Sequence, residues 1–242
     1  RTVHTRIRST IKAKKEFEEV GRKVRVHLPI PKVYEQVSNV EIHASNPEIT
    51  YVAPFDAPQR TVYFETELKE NQEFMVDYSF DYHVNYVELD PAKVSEEQPD
   101  FCLEEQTPHI VFTPYLRELR DELAGDETNP IILARRFYDF VTTKVMYSFM
   151  REYFTIECIP EYCAINLKGD CGVQALLFIT LCRMSGIPAR WQSGLYVTKY
   201  YTGCHDWAQF YVAPYGWVFA DPSFGGSAWR EGDKVRWNYY FG

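Results

Sequence analysis

The chain has 242 residues, 45% of them hydrophobic and 16% aromatic, and a formal net charge of −8; this composition supports sizeable cores and argues against disorder. The acidity is local, since residues 87–108 hold seven acidic side chains against one basic, and without a basic patch the chain is not suited to nucleic acid. No run approaches the roughly 18 apolar residues of a membrane span, and six cysteines in a chain of this length do not form a disulfide scaffold.

The first third reads as strands. RKVRVHL puts Val24, Val26 and Leu28 on one parity, and RTVYFETEL does the same with Val62, Phe64, Thr66 and Leu68. EFMVDYSFDYHVNYV is the cleanest case, with Phe74, Val76, Tyr78, Phe80, Tyr82, Val84 and Tyr86 alternating with mostly polar residues. A period of two marks half-buried strands, and their Pro and Asn punctuation suggests an antiparallel β-sandwich over residues 1–86. Residues 87–108, VELDPAKVSEEQPDFCLEEQTP, carry three prolines and little periodicity, and read as an acidic linker or a wrapped connection.

Residues 109–242 have a different texture. PYLRELRDELAG fits a helix closed by Gly125, and NPIILARRFYDFVTTKV a second helix with Pro130 in its first turn. A loop-rich stretch leads to GDCGVQALLFITLCRMSGIPAR, in which Asp170 caps an apolar helix running from Cys171 to a stop at Gly186 and Pro188. ARWQSGLYV, HDWAQFYV and GWVFAD then read as strands, giving an α+β domain.

Cys171 heads that helix, where free N–H groups and the positive end of the dipole favour a thiolate and lower a thiol pKa from its usual ~8.5. Downstream, His205 and Asp221 bracket a hairpin. An imidazole can accept the thiol proton, and a carboxylate on its far nitrogen fixes its tautomer. The two share a face only if the hairpin loop is odd: pairing Val212 with Gly216 sets Asp221 opposite Trp207, a diagonal neighbour of His205. An odd loop or a bulge is therefore expected around Ala213–Gly216.

These three blocks, GDC with its apolar helix ending LCRMSGIPAR, then HDWAQFYV, then GWVFADPS, resemble the core of the transglutaminase-like cysteine enzymes over about residues 109–225. KVRVHLPIP in the front third resembles, more loosely, the immunoglobulin-like β-sandwich that precedes this core in bacterial members. The resemblance implies a papain-like fold, with Cys171 as nucleophile, His205 as base and then acid, and Asp221 as orienter. It implies acyl transfer from a peptide or glutamine amide through a thioester, with hydrolysis favoured over cross-linking. The partner is then a protein or peptide substrate, and no cofactor or metal is expected, since no calcium loop can be matched. One departure stands out. Better-known members place an oxyanion-stabilising tryptophan well upstream of the nucleophile, whereas all five tryptophans here follow Cys171. The Cys171 N–H supplies one oxyanion donor, and Tyr147 is the candidate for the second. The alternative is a non-catalytic scaffold that retains the fold.

Other residues have plainer readings. Cys158, Cys163, Cys204 and His205 lack the CxxC spacing of a zinc site, which would also occupy the nucleophile. Cys158 and Cys163 are a disulfide or two loop thiols. Asp206 is expected on the face opposite His205, and Arg183 and Arg190 on the surface. The tail after Asp221 finishes the sheet or walls a cleft. A start at Arg1 rather than Met, with a sandwich in front, favours an extracytoplasmic location, and the abrupt aromatic end at Gly242 suggests a longer natural protein.

Overall fold

The computed structural model describes all 242 residues, which divide into two compact units, Arg1–Asn85 and Tyr86–Gly242. The first unit is all β: β1 (Thr2–Lys12), β2 (Lys23–Pro29), β3 (Val37–Asn46), β4 (Tyr51–Val52), β5 (Thr61–Glu67) and β6 (Glu73–His83). They form two three-stranded antiparallel sheets, ordered β1-β6-β3 and β2-β5-β4. Leu28, Val62, Phe64, Leu68, Phe74, Val76 and Tyr78 share one core between them, on the parity that the alternating pattern assigned. β1 and β3 lie outside the strands read from the sequence, for separate reasons. In β1, Thr and Ser dilute the apolar parity, and in β3 two register shifts break the period of two.

The polar parity of β6 is not simply solvated. Asp77 is buried at the centre of its sheet, where Arg6 Nε (2.7 Å) and Arg8 Nη2 (2.9 Å) of β1 donate to its two oxygens. Hydrogen bonds from Arg6 and then Arg8 pull its pKa down to about 2, so this charge is kept in the sheet by its partners rather than by water.

The second unit runs α1 (Pro114–Ala124), α2 (Pro130–Lys144), β7 (Met146–Tyr147), α3 (Ile159–Asn166), β8 (Lys168–Gly169), α4 (Cys171–Met184), β9 (Ala189–Val197), β10 (Thr202–Val212), β11 (Gly216–Ala220), α5 (Pro222–Arg230) and α6 (Lys234–Tyr239). Thr113 and Asn129 cap α1 and α2 through their side-chain oxygens, each with Pro at the first helical position. Gly125 ends α1 at φ 54°, a conformation that favours glycine. The strands β9, β10 and β11 form an antiparallel sheet with β10 central. Against it lies α4, whose Val173, Leu177, Phe178, Ile179, Leu181 and Cys182 are all fully buried. A helix that is apolar all round must be enclosed, and each such side chain is worth about 1.5–3 kcal/mol removed from water.

Several expectations are decided here. Residues 87–108 take the second of their two readings, a wrapped connection, and are laid on the second unit. Leu89 and Val94 pack on its core, Ser95 N donates to Ala213 O at 3.0 Å, and the Gln98 amide accepts from Ala213 N at 2.9 Å. Arg183 is buried rather than on the surface, because its guanidinium finds backbone carbonyls at Ala189 (2.8 Å) and Glu104 (2.6 Å). The tail forms α5 and α6 instead of strands, with Asp221 and Asp233 as N-caps. Cys158 and Cys163 are separate free thiols.

α5 reaches α2 at Gly225, where an added Cβ would lie 1.9 Å from Tyr138 Oη and 2.7 Å from Cζ. Tyr138 is fully buried and its hydroxyl donates to Trp237 O at 2.8 Å, so the ring cannot retreat. Gly225→Ala should therefore cost about 1–3 kcal/mol of stability through overpacking. Denaturant unfolding followed by tryptophan fluorescence measures it; an unchanged midpoint would mean that α5 is not seated this tightly.

Candidate active site

The apolar enclosure of α4 fixes where its N-terminus emerges. Asp170 is the N-cap: its Oδ1 accepts from Val173 N at 3.0 Å and from Tyr153 Oη at 2.5 Å. Cys171 follows as the first helical residue. The residue before the cap is anchored too. Gly169 O accepts from Gln174 Nε2 at 2.8 Å and from Ser148 N at 3.1 Å. Gly169 itself has no room for a side chain, since a Cβ would lie 2.4 Å from Val173 Cγ1. The short parallel pair β7–β8 sets Tyr147 beside Gly169.

The hairpin has the register that the shared-face argument demands. Val212 pairs with Gly216 across a three-residue loop, and Ala208 with Ala220, which puts Asp221 level with Trp207. Asp221 then serves two structures at once. Its Oδ1 accepts from Phe224 N (2.9 Å) and Ser223 Oγ (3.0 Å), capping α5, while its Oδ2 lies 2.6 Å from His205 Nε2. With Nε2–H donating to Asp221, Nδ1 is the nitrogen left for the thiol. Phe224 stacks on the imidazole with centroids 4.2 Å apart and planes at 16°. Asp221 is 1% and His205 9% exposed, so the pair is largely withdrawn from water.

The electrostatics follow from this packing. Burial works against protonating His205, yet its hydrogen bonds to Asp221 and Cys171 outweigh that and raise its pKa to about 10. Tyr147 is raised by burial and by the charges of Cys171 and Asp170, and its hydroxyl is within hydrogen-bond reach of Cys171; it stays a proton donor at neutral pH. The arrangement can draw a proton from a thiol onto a histidine held by a carboxylate, with a backbone N–H and a phenol nearby. All four residues singled out from the sequence (Cys171, His205, Asp221 and Tyr147) are brought to one place.

Three neighbours were not foreseen. The Asp206 carboxylate is not turned away from the site: its Oδ2 lies 3.7 Å from Cys171 Sγ. At this level β10 is flanked by β9 alone, because β11 ends opposite Ala208. Tyr153 and Phe224 lie in stretches whose pattern reads as a loop and a tail. The Asp-Pro pair at 221–222 was a usable helix-start signal for α5, and hence for Phe224 on its first turn. Arg190 Nε donates to Gln209 Oε1 at 2.9 Å.

Residues 117–222 match the family model of the transglutaminase-like superfamily. The match lies within the second unit. A "putative cysteine protease" of Cytophaga hutchinsonii has a similar structure, with TM-score 0.61 and 17% identity over 92% of this chain and 75% of that one. The periplasmic domain of TgpA from Pseudomonas aeruginosa aligns at TM-score 0.49 and 15% identity, over 90% and 75% of the two chains. An uncharacterized protein of Haemophilus influenzae is 28% identical over 48% of this chain; the match spans 37% of that protein's length. No helix of the chain is long and apolar enough to cross a membrane.

The raised His205 makes a signed prediction for this core. Stabilisation from the His205–Asp221 pair is complete below the ordinary histidine value of ~6.5 and is lost as pH rises through about 10. Asp221→Asn removes the carboxylate charge and leaves burial to dominate, so His205 should titrate at or below ~6.5 in that variant. NMR titration of the imidazole ring reads this directly; a midpoint that does not fall would show that Asp221 does not hold the imidazolium.

Proposed function

We propose that the protein is a cysteine hydrolase that cleaves peptide or glutamine amides through a thioester on Cys171. The observation that carries this reading is the His205 ring, held by Asp221 at 2.6 Å, within hydrogen-bond reach of a thiol at the head of a buried helix. In this reading the substrate carbonyl enters beside Cys171. As the thiolate paired with the His205 imidazolium, sulfur bonds to the carbonyl carbon, and the carbonyl electron pair moves to oxygen. The Cys171 backbone N–H and the Tyr147 hydroxyl donate to that oxygen. Collapse breaks the C–N bond, and His205 gives its proton to the departing nitrogen. Water then attacks the thioester, His205 takes its proton, and the thiolate leaves beside the imidazolium that this restores.

Asp221 neither gains nor loses a proton in this sequence; it keeps Nε2 protonated so that Nδ1 is free as the base. A lysine amine in place of water would give cross-linking from the same thioester. The two sheets of the first unit on a common core fit the β-sandwich that precedes such cores, and a scaffold role remains the competing reading.

Incubating the protein with peptide amides, with and without a primary amine, separates these. Release of free carboxylate that is abolished in Cys171→Ser is the expected result. Tyr147→Phe should lower kcat by roughly 10²-fold, the size of one lost oxyanion donor, with little change in KM. Incorporation of the amine in preference to water would make the enzyme a transferase. Absence of turnover, together with Cys171 alkylation no faster than that of the exposed Cys204, would favour the scaffold.

A further inference from the structure

Asp206 has no part in the reaction described above, yet it touches the reacting atom. Its Oδ2 accepts from Cys171 Sγ at 3.7 Å, and two features maintain that contact. Gly172 follows the nucleophile, and a Cβ there would lie 3.0 Å from Asp206 Oδ2 and 2.4 Å from Tyr153 Oη; the bare glycine gives the carboxylate its path to the sulfur. On the neighbouring strand, Ser193 pairs in register with Asp206 and hydrogen-bonds to its carboxylate.

We propose that Asp206 is a further catalytic residue, a carboxylate on the sulfur that holds Cys171 as the neutral thiol and makes thiolate formation depend on the carboxylate's own charge. The inference rests on the reading of Cys171 as nucleophile. At neutral pH His205 is the imidazolium and donates, so Asp206 is the acceptor for the thiol proton. While the proton points to an ionised Asp206, the sulfur is neutral. Losing it sets a thiolate against a carboxylate, two like charges about 4 Å apart, a repulsion large enough to suppress the thiolate at least tenfold. Protonating Asp206 removes the repulsion and converts the group into a donor to the sulfur.

The other charged and titratable groups facing Asp206 determine how strongly it acts. From α4 and its cap come Cys171 and Asp170, from the turn before α3 Tyr153, from β7 Tyr147, and from β10 itself His205, whose far nitrogen is held by Asp221 on α5. His205 is the cation among them, and Asp170 is a second carboxylate that adds to the repulsion. Burial raises Asp206 above the ordinary carboxylate range, which brings its ionisation closer to neutral pH and favours nucleophilicity on the acid side.

The test is iodoacetamide labelling of the full chain, resolved by cysteine through peptide mass spectrometry, from pH 5 to 9. Asp206→Asn keeps the shape and removes the charge. Cys171 in that variant should label at least tenfold faster than wild type at pH 7, with the ratio shrinking toward pH 5. The buried Cys163 and Cys182 should stay protected in both, which reports that the fold is intact. An equal or slower rate in Asp206→Asn overturns the proposal, and a slower one would make Asp206 a base. If the buried thiols lose protection, Asp206→Ser is read in the same way: a gain supports the proposal and no gain overturns it. His205→Ala separates the two levels of argument. If it slows labelling while Asp206→Asn changes nothing, the role of Asp206 fails and the nucleophile stands; if it leaves labelling unchanged, the nucleophile reading itself fails.

Discussion

The enclosure of α4 is the constraint on which the second unit depends. A fourteen-residue helix with buried side chains on every side can satisfy its own backbone but cannot offer a wet face to solvent. α2, α3, β9 and β10 must therefore close around it. Its N-terminus is the one part that cannot be sealed in the same way, because the first-turn N–H groups have no intrahelical acceptors. Asp170 satisfies one of these groups, and the residue next to it is Cys171. The helix is thus rigid for reasons of packing, and the thiol takes its position from that rigidity without contributing to it.

Asp221 shows how such a site is held with few parts. One carboxylate caps a helix, receives a serine hydroxyl and orients an imidazole. Its buried charge is tolerable because three donors surround it. The glycines that follow bring α5 against α2, so the cap cannot drift from the histidine. Aromatic stacking by Phe224 covers the ring's face and limits its rotation. Geometry at the histidine is therefore a by-product of how the tail packs.

Much of this was legible in the residues. The parity of His205 and Asp221 dictated an odd loop, and the loop has three residues. The Asp-Cys step before an apolar run located the helix head, and the alternation in β2, β5 and β6 located a core. What was not legible has physical causes. β1 carries arginines because they serve Asp77 across the sheet, so its pattern looked merely polar. Arg183 is buried against backbone carbonyls, and carbonyl positions leave no trace in side-chain chemistry. Asp206 lies where β10 has lost β11 as a neighbour and reaches the thiol across Gly172, which has no side chain to block it; neither contact is written in the strand's period of two.

The segment 87–108 has an outcome its composition conceals. Its acidic, proline-rich character resembles a tether, yet Ser95 and Gln98 bond to Ala213 in the loop of the hairpin that carries both His205 and Asp221, and Asp90 N donates to Tyr215 Oη at 3.0 Å. These residues brace the turn whose length sets His205 and Asp221 on one face. The unit's energetic border therefore lies some twenty residues before the border that charge and proline content would draw. A shortened chain beginning at 109 would retain every side chain of the site and lose the splint that keeps its hairpin in phase.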